Sequence, residues 1–340
     1  NAGNDLIDTW INAIYTRSIN NPIASVRMIN RGQKNSWYLL SAMDEDSPYI
    51  IPGEEQSFSV SEGQSISNIF RFRRTLDEAS FFGILATDRR MVDNDGSGSV
   101  VGFDTRYKFN KTYQVELQTL FSHTQEPNDS LLVNNTIFGD DNTFTFDGES
   151  FSGNAVELEF RRETKHWGIE TGYDHRSPAF RADNGFISNN NQRRVYLQSY
   201  WVYTPDKMIS KVVGGFHSGI EYNFDGKKKS RYTSFFGNVV LPRQTRFNIN
   251  ISVKPFTRFK EVDLENLWDL SVNINSHFNK SLSLGGSFSR GVNTVTFLDV
   301  PEKGNSTSFS LWTRLKVSDR MHVGGTYENY QMTTLDKKEE

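Results

Sequence analysis

The sequence contains no cysteine, which excludes disulfide staples and thiolate metal sites. That absence suits an oxidising compartment without establishing one. Proline is scarce, at 9 residues. No apolar run approaches the ~18 residues of a transmembrane helix, and the mean hydropathy is negative. Neither sign of charge dominates: 38 Lys and Arg stand against 41 Asp and Glu, a net charge of −3. The basic residues are interspersed with acids, so nothing favours nucleic acid as a partner. No signal peptide stands at Asn1. Either it has been removed or the chain is a piece of something longer.

Aromatic residues are what the chain has in quantity: 26 Phe, 13 Tyr and 6 Trp, alongside 25 Gly. Length alone suggests two or three soluble domains at roughly 100–200 residues each. The composition points instead to one large β architecture. Its clearest unit is the stretch 98–123. Val101, Phe103, Thr105, Tyr107 and Phe109 alternate with Gly102, Asp104, Arg106 and Lys108. After a turn at Asn110-Lys111, Tyr113, Val115, Leu117, Thr119 and Phe121 alternate with Gln114, Glu116, Gln118 and Ser122. Successive side chains on a strand point to opposite faces, so each arm is apolar on one face and polar on the other. Each arm also has the roughly 9–11 residues with which a tilted strand crosses a bilayer.

This unit recurs. Strands are expected near 24–30, 36–42, 67–74, 80–88, 98–109, 112–123, 153–162, 166–174, 193–203, 211–224, 231–241, 245–256, 266–277, 281–297, 306–317 and 320–331. Residues 9–19 read as a further strand or a short helix. The connections alternate in length. Short ones fall at 31–34, 76–79, 110–111, 163–165, 205–208, 242–244, 279–280 and 318–319. Longer ones fall at 43–66, 89–97, 124–152, 175–192, 225–230, 257–265 and 298–305. Outer-membrane barrels have short periplasmic turns on one rim and long extracellular loops on the other. A soluble β protein with one wet face has no reason to alternate so regularly, and no repeat of roughly 40–50 residues marks a propeller. The expected fold is all-β: a transmembrane antiparallel up-and-down β-barrel of about 16–18 or more strands. Residues 1–23 form a leading strand or linker and 24–340 a single barrel domain, with long extracellular loops at 43–66, 124–152 and 175–192.

Topology adds an expectation. With the short turns periplasmic, the strand at 24–30 runs inward and that at 320–331 runs outward. Bacterial barrels of even strand number keep both termini in the periplasm. One strand is therefore expected before residue 24, with 9–19 the candidate, and at least one after residue 340. The barrel is expected to be incomplete at its C-terminus, where Leu335 to Glu340 reads as a loop.

The two faces carry different assignments. Lipid-side candidates include Val156, Leu158 and Phe160; Trp167, Ile169 and Tyr173; Phe247, Ile249, Ile251 and Val253; Trp268, Leu270, Val272 and Ile274; and Phe309, Leu311 and Leu315. The polar parity is expected to line a hydrated lumen. Its acids are Asp104, Glu116, Glu157, Glu159, Glu170, Asp174, Glu221, Asp269 and Glu328. Its bases are Arg106, Lys108, Arg161, Arg194, Arg246, Lys254, Arg314 and Lys316. Near-equal numbers give no ion selectivity, and pairing across neighbouring strands as a structural ladder is the competing role. His175, Arg176, Arg181 and Asp183 mark a charge-dense loop that is either an inward-folding constriction or a solvated extracellular loop.

No catalytic residue is expected, and the chain does not read as an enzyme. Asp174 and His175 are adjacent and so face opposite ways on a strand. His217 with Glu221, and His277 with Asn275, share a face, but no serine is indicated beside either pair. Asp93-Asn-Asp-Gly-Ser-Gly resembles half a calcium loop, lacks the distal Glu, and reads as a plain turn. The acidic stretch 139–147 is a faint candidate for Ca²⁺ held between lipopolysaccharides. No cofactor and no intrinsic metal are expected. The expected partners are outer-membrane lipid and lipopolysaccharide, together with a partner protein or plug if the lumen is filled. Oligomeric state is left open.

Several segments resemble one family. They are Tyr15-Thr-Arg-Ser-Ile-Asn-Asn-Pro, Trp37-Tyr-Leu-Leu-Ser-Ala-Met-Asp-Glu, Arg71-Phe-Arg-Arg with Ser80-Phe-Phe-Gly-Ile-Leu-Ala-Thr-Asp-Arg, Val101-Gly-Phe-Asp-Thr-Arg, and Ser177-Pro-Ala-Phe-Arg-Ala-Asp-Asn-Gly-Phe-Ile. In this order they resemble an uncharacterised bacterial outer-membrane β-barrel family. Its members often carry an N-terminal sandwich like carbohydrate-binding module family 9, which no segment here matches. The resemblance implies a barrel in the bacterial outer membrane and no catalytic residues. Pattern and resemblance together lead to the expectation of a channel or transport pore with a polar, mixed-charge lumen. The alternative is a structural barrel that sheaths a partner protein or plug, as secretion and electron-transfer conduits do.

Overall fold

The computed structural model describes residues 4–129, 134–139, 141–205 and 209–335. The C-terminal loop expected beyond Leu335 and most of the turn at 205–208 lie outside the described residues. A helical turn α1 (Asn4–Ile7) and a 3-10 turn (Thr16–Ser18) precede the strands. The first eight strands are β1 (Pro22–Arg31), β2 (Asn35–Asp44), β3 (Ser47–Pro52), β4 (Ser57–Glu62), β5 (Ser65–Thr75), β6 (Phe81–Met91), β7 (Ser97–Phe109) and β8 (Tyr113–Gln125). Two short strands follow, β9 (Ile137–Phe138) and β10 (Asn142–Thr143), then β11 (Ser150–Glu163), β12 (Trp167–Arg176), β13 (Gln192–Tyr203) and β14 (Lys211–Tyr222). The last are β15 (Lys228–Leu241), β16 (Thr245–Phe259), β17 (Val262–His277), β18 (Leu282–Val295), β19 (Glu302–Ser318) and β20 (Met321–Thr334).

Sixteen of these form one antiparallel sheet. Its order follows the chain from β1 to β20, interrupted only where β3–β4 and β9–β10 form small hairpins inside the first two of the three longest loops. Each of the sixteen strands expected from the alternating pattern corresponds to one strand of this sheet. β1 and β20 end the order, and no pairing joins them among the described residues.

Turn chemistry explains the short connections. Asn110 (φ 48°) and Lys111 (φ 58°) are both left-handed, as are Arg243 (φ 59°) with Gln244 (φ 52°), and Lys260 (φ 48°) with Glu261 (φ 63°). Positive φ at two successive turn residues gives the twist that matches antiparallel strands. At the connection after β5, Asp77 Oδ1 accepts the Ala79 and Ser80 N–H groups at 2.8 Å each, which holds its carboxyl below the usual range.

Two expectations are corrected here. The connection at 257–265 is not a long loop: Phe259 pairs with Val262, leaving Lys260-Glu261 as a two-residue turn. Neither residue is a turn former by type, so nothing marked the hairpin. Residues 9–19 do not form a strand. They run as irregular backbone closed by the 3-10 turn, and Ile11, Ala13 and Ile14 are buried.

The chain divides into two compact units: 1–161 with 172–194 and 222–227, and 162–171 with 195–221 and 228–340. In the first, one face of the sheet is apolar and open, and the other carries both ion-paired and apolar side chains and is covered. Val101 is 55 % exposed and Phe121 57 %, whereas Asp104 is 2 % and Gln118 0 % exposed. Leu6, Ile7, Ile11, Ala13 and Ile14 join Phe180, Ala182 and Ile187 to cover the sheet side chains Tyr38, Leu40, Ile69, Leu85, Val100 and Leu120. A smaller cluster joins Ile51 to Phe144 and Phe146 in the long loops.

In the second unit the register stacks the same alternation across strands. Phe247, Ile249, Ile251 and Val253 lie opposite Ile274, Val272, Leu270 and Trp268. The intervening Arg246, Asn248 and Asn250 lie opposite Asn275, Asn273 and Ser271. Directly opposed residues share a face, so one face is an apolar band and the other a polar one.

Candidate pore face and its covering segments

The polar parity of the first unit is a network, not an array of free charges. Arg71, 1 % exposed, forms a bidentate pair with Asp104, at 2.5 Å from Nη1 and 2.7 Å from Nη2. Arg71 comes from β5 and Asp104 from β7, two strands away, so the pair spans β6 above Gly83. Arg106 meets Glu116 at 2.5 Å, Arg161 meets Glu159 at 2.7 Å, and Arg194 meets Asp174 at 2.6 Å. Glu157 is half-buried on the same parity, and Lys108 is exposed near the short-turn end. In the second unit Glu221 meets Lys229 at 3.5 Å and Lys316 meets Asp319 at 2.6 Å. Glu170 and Asp269 are half-buried there, while Arg246, Lys254, Arg314 and Glu328 are exposed.

Backbone groups of the N-terminal segment complete the network. Arg71 Nε donates to Leu6 O at 3.1 Å, and Arg89 Nη2 donates to Ser18 O at 2.7 Å. The Ile11 N–H donates to Gln118 Oε1 at 2.7 Å. The N–H groups of Asn20 and Asn21 donate to the two Asp44 carboxylate oxygens at 2.8 and 2.6 Å. Irregular backbone can be buried only where its polar groups find partners. Here the covered parity of β2, β5, β6 and β8 supplies them. The sequence places Gln118 on the polar face of its strand, whereas Arg71, Arg89 and Asp44 carry no site assignment there. Arg71 and Gln118 fall on the polar parity of their strands, but Asp44 shares its parity with Tyr38, Leu40 and Ala42, and Arg89 with Phe81 and Leu85, so alternation marked neither.

The loop after β12 lies against the same covered face. The Tyr15 N–H donates to Asn184 O and the Phe186 N–H to Asn12 O, at 2.7 and 2.8 Å, so loop and N-terminal segment pair as one layer. Arg181 and Asp183 are buried and bonded at 2.6 Å. Arg176 donates to Asn189 Oδ1 at 2.8 Å. His175 belongs to β12 itself and not to the loop: on the parity of Tyr173, it packs on Phe224 and is held between Asn154 Oδ1 at 2.7 Å and Tyr173 OH at 3.1 Å. The loop fits because Gly153 has no side chain: a Cβ there would collide with the Phe180 backbone. Gly153→Val is expected to lift residues 177–191 off the sheet. Limited proteolysis should then cut that loop, while circular dichroism still reports full β content.

Burial pushes the Glu126 carboxyl up to about 8, with Glu149, Asp147 and Asp183 adding to the rise and Arg181 opposing it. His277 meets Ser283 at 2.8 Å, but the two are cross-strand neighbours, and no carboxylate orients the ring among the described residues. His217 lies between Tyr196 and Tyr232. Asp93 to Gly98 forms a turn in which Asn94 Oδ1 is taken by the Gly96 N–H. No protein-family model matches the chain, and no curated protein matches it.

Proposed function

We propose that the chain is a β-barrel of the bacterial outer membrane that acts as a channel, with its N-terminal segment and the 177–191 loop serving as an internal plug. The observation that carries this reading is the inversion of the two faces. The open face bears Phe70, Ile84, Val101, Phe103, Tyr107 and Phe121, and the covered face bears the ion pairs. Water around the first face would leave a contiguous apolar surface that soluble monomers avoid. Lipid removes that cost, because strands of outer-membrane barrels are apolar outward and polar inward. Near the short turns, Tyr107, Phe109, Tyr113 and Phe160 form a chain of ring contacts at 5.3–6.1 Å. Such an aromatic girdle marks a membrane interface.

The exposed Arg246, Lys254 and Arg314 on the polar parity of the second unit suit a hydrated path. They suit equally the second reading, a barrel that sheaths a partner protein. Conductance separates the two. Purified protein in planar bilayers should give discrete ohmic steps; a tightly inserted protein that never conducts favours the sheath. Lipid contact also has a mutational consequence. Phe103→Arg, in the middle of β7, should cost about 2–4 kcal/mol of folding stability in vesicles, read from urea titration of the folded fraction.

A further inference from the structure

Three carboxylates converge where the long connection after β8 returns to the sheet. Glu126 directly follows β8, and Asp147 and Glu149 precede β11. One oxygen of each lies within 4.8 Å of the other two. Backbone contacts set this arrangement. The Glu126 N–H donates to Glu149 O at 2.9 Å, and Gln125 Nε2 donates to Gly148 O at 2.6 Å. Asn128 and Asp147 form an antiparallel bridge, and left-handed Gly148 (φ 85°) turns the chain between the two loop acids. Glu149 is itself oriented, because its Oε2 accepts the Thr143 N–H at 2.7 Å.

A separate observation points to a ligand. Glu126 is 1 % exposed, yet only its Oε1 is engaged, by Arg181 Nη1 at 3.2 Å. Its Oε2 has no hydrogen-bond partner among the described residues. Arg181 is shared, since its Nε is taken by Asp183 at 2.6 Å. One guanidinium thus faces two buried carboxylates, with Asp147 and Glu149 adding two more negative charges. A buried carboxylate oxygen without a donor is costly, and converging carboxylates repel. A cation relieves both.

We propose that Glu126, Asp147 and Glu149 form a divalent-cation site of the calcium class. Glu126 is the buried ligand, and Asp147 and Glu149 close on the ion from the loop. Carboxylate oxygens suit a hard cation, and Ca²⁺ takes 6–8 oxygens at flexible geometry, the remainder here coming from water and backbone carbonyls. Asp147 is exposed, so the coordination sphere stays open to solvent. Affinity then falls in the range of extracellular calcium modules, a Kd of about 10⁻⁴–10⁻³ M. The bound ion ties the 126–149 loop to the ends of β8 and β11. This site lies within the chain and needs no lipopolysaccharide.

The test uses the full chain refolded from inclusion bodies into detergent, free of lipopolysaccharide and stripped with EDTA. CaCl₂ is titrated in by calorimetry, with thermal unfolding as a second readout. One saturable event and a raised Tm are expected. Both should be lost in Asp147→Asn and in Glu149→Gln, which change partly exposed side chains and leave the fold intact, and in Glu126→Gln. Absence of saturable Ca²⁺ binding up to about 10 mM, well above the expected range, overturns the proposal. So does binding that persists unchanged when Asp147→Asn and Glu149→Gln are combined.

Discussion

Replacing Arg71 with methionine is expected to destabilise the protein by about 3–5 kcal/mol, the cost of leaving a buried charge without its partner. Asp104, 2 % exposed, would lose both of its bonds to the guanidinium. The Leu6 carbonyl would lose a donor as well. Methionine keeps most of the side-chain length, so little of the effect comes from a cavity. Removing the charge from both partners should behave differently. Arg71→Met with Asp104→Leu leaves no uncompensated ion, and replacing a buried pair by apolar residues of similar volume is often neutral or favourable. Urea unfolding in detergent, followed by tryptophan fluorescence, should therefore rank the double variant well above either single one. Arg71 belongs to the same network that anchors the N-terminal segment, so the single variant should also leave residues 1–19 more open to protease.

Removing residues 1–19 is expected to raise single-channel conductance several-fold. In the first unit this segment and the 177–191 loop occupy the covered face of the sheet. Its deletion would expose Gln118, Arg71 and Arg89 to water, and all three point polar groups at the backbone it contributes. The resulting face carries paired charges beside the apolar patch of Tyr38, Leu40, Ile69, Leu85, Val100 and Leu120 that the segment now covers, and the unblocked space is open to water. Ile11→Asp with Ile14→Asp gives a milder version, since two carboxylates cannot remain in that apolar layer. Frequent opening bursts in the double variant and sustained high conductance in the deletion would fit a plug. Unchanged conductance in both would show that ions take a path that the segment does not obstruct.

The strand content was legible because an amphipathic strand announces itself by alternation, and the 98–123 hairpin does so on both arms. The Asn110-Lys111 turn was legible because Asn tolerates the left-handed backbone that such turns need. Lys260-Glu261 adopts the same conformation without a residue that favours it, and the hairpin there passed for a loop. Residues 9–19 were misread for a different reason. Ile11 and Ala13 have the two-residue spacing of a strand face, but the Ile11 N–H donates to a side chain of a distant strand, Gln118, 107 positions away. No local pattern encodes such a contact. The same limit hid Arg71 and Arg89, whose partners, the Leu6 and Ser18 carbonyls, lie more than sixty residues away. The charge list from 104 to 194 foretold a polar face, and cross-strand distance then resolved much of it into pairs. Glu126 stood out least of all, since its environment is made by Arg181 and by a loop that closes some twenty residues later.

The absence of native cysteine makes the central claim directly measurable. Single cysteines placed in turn at 101 to 109 and carrying spin labels can be read in lipid vesicles for collision with oxygen, which concentrates in the bilayer, and with a water-soluble nickel chelate. Val101→Cys, Phe103→Cys, Thr105→Cys and Tyr107→Cys should favour oxygen. Gly102→Cys, Asp104→Cys, Arg106→Cys and Lys108→Cys should not, giving a period of two along β7. A uniform response at both parities, with the nickel chelate reaching Val101 and Phe103 as freely as Arg106 and Lys108, would contradict a lipid-facing sheet.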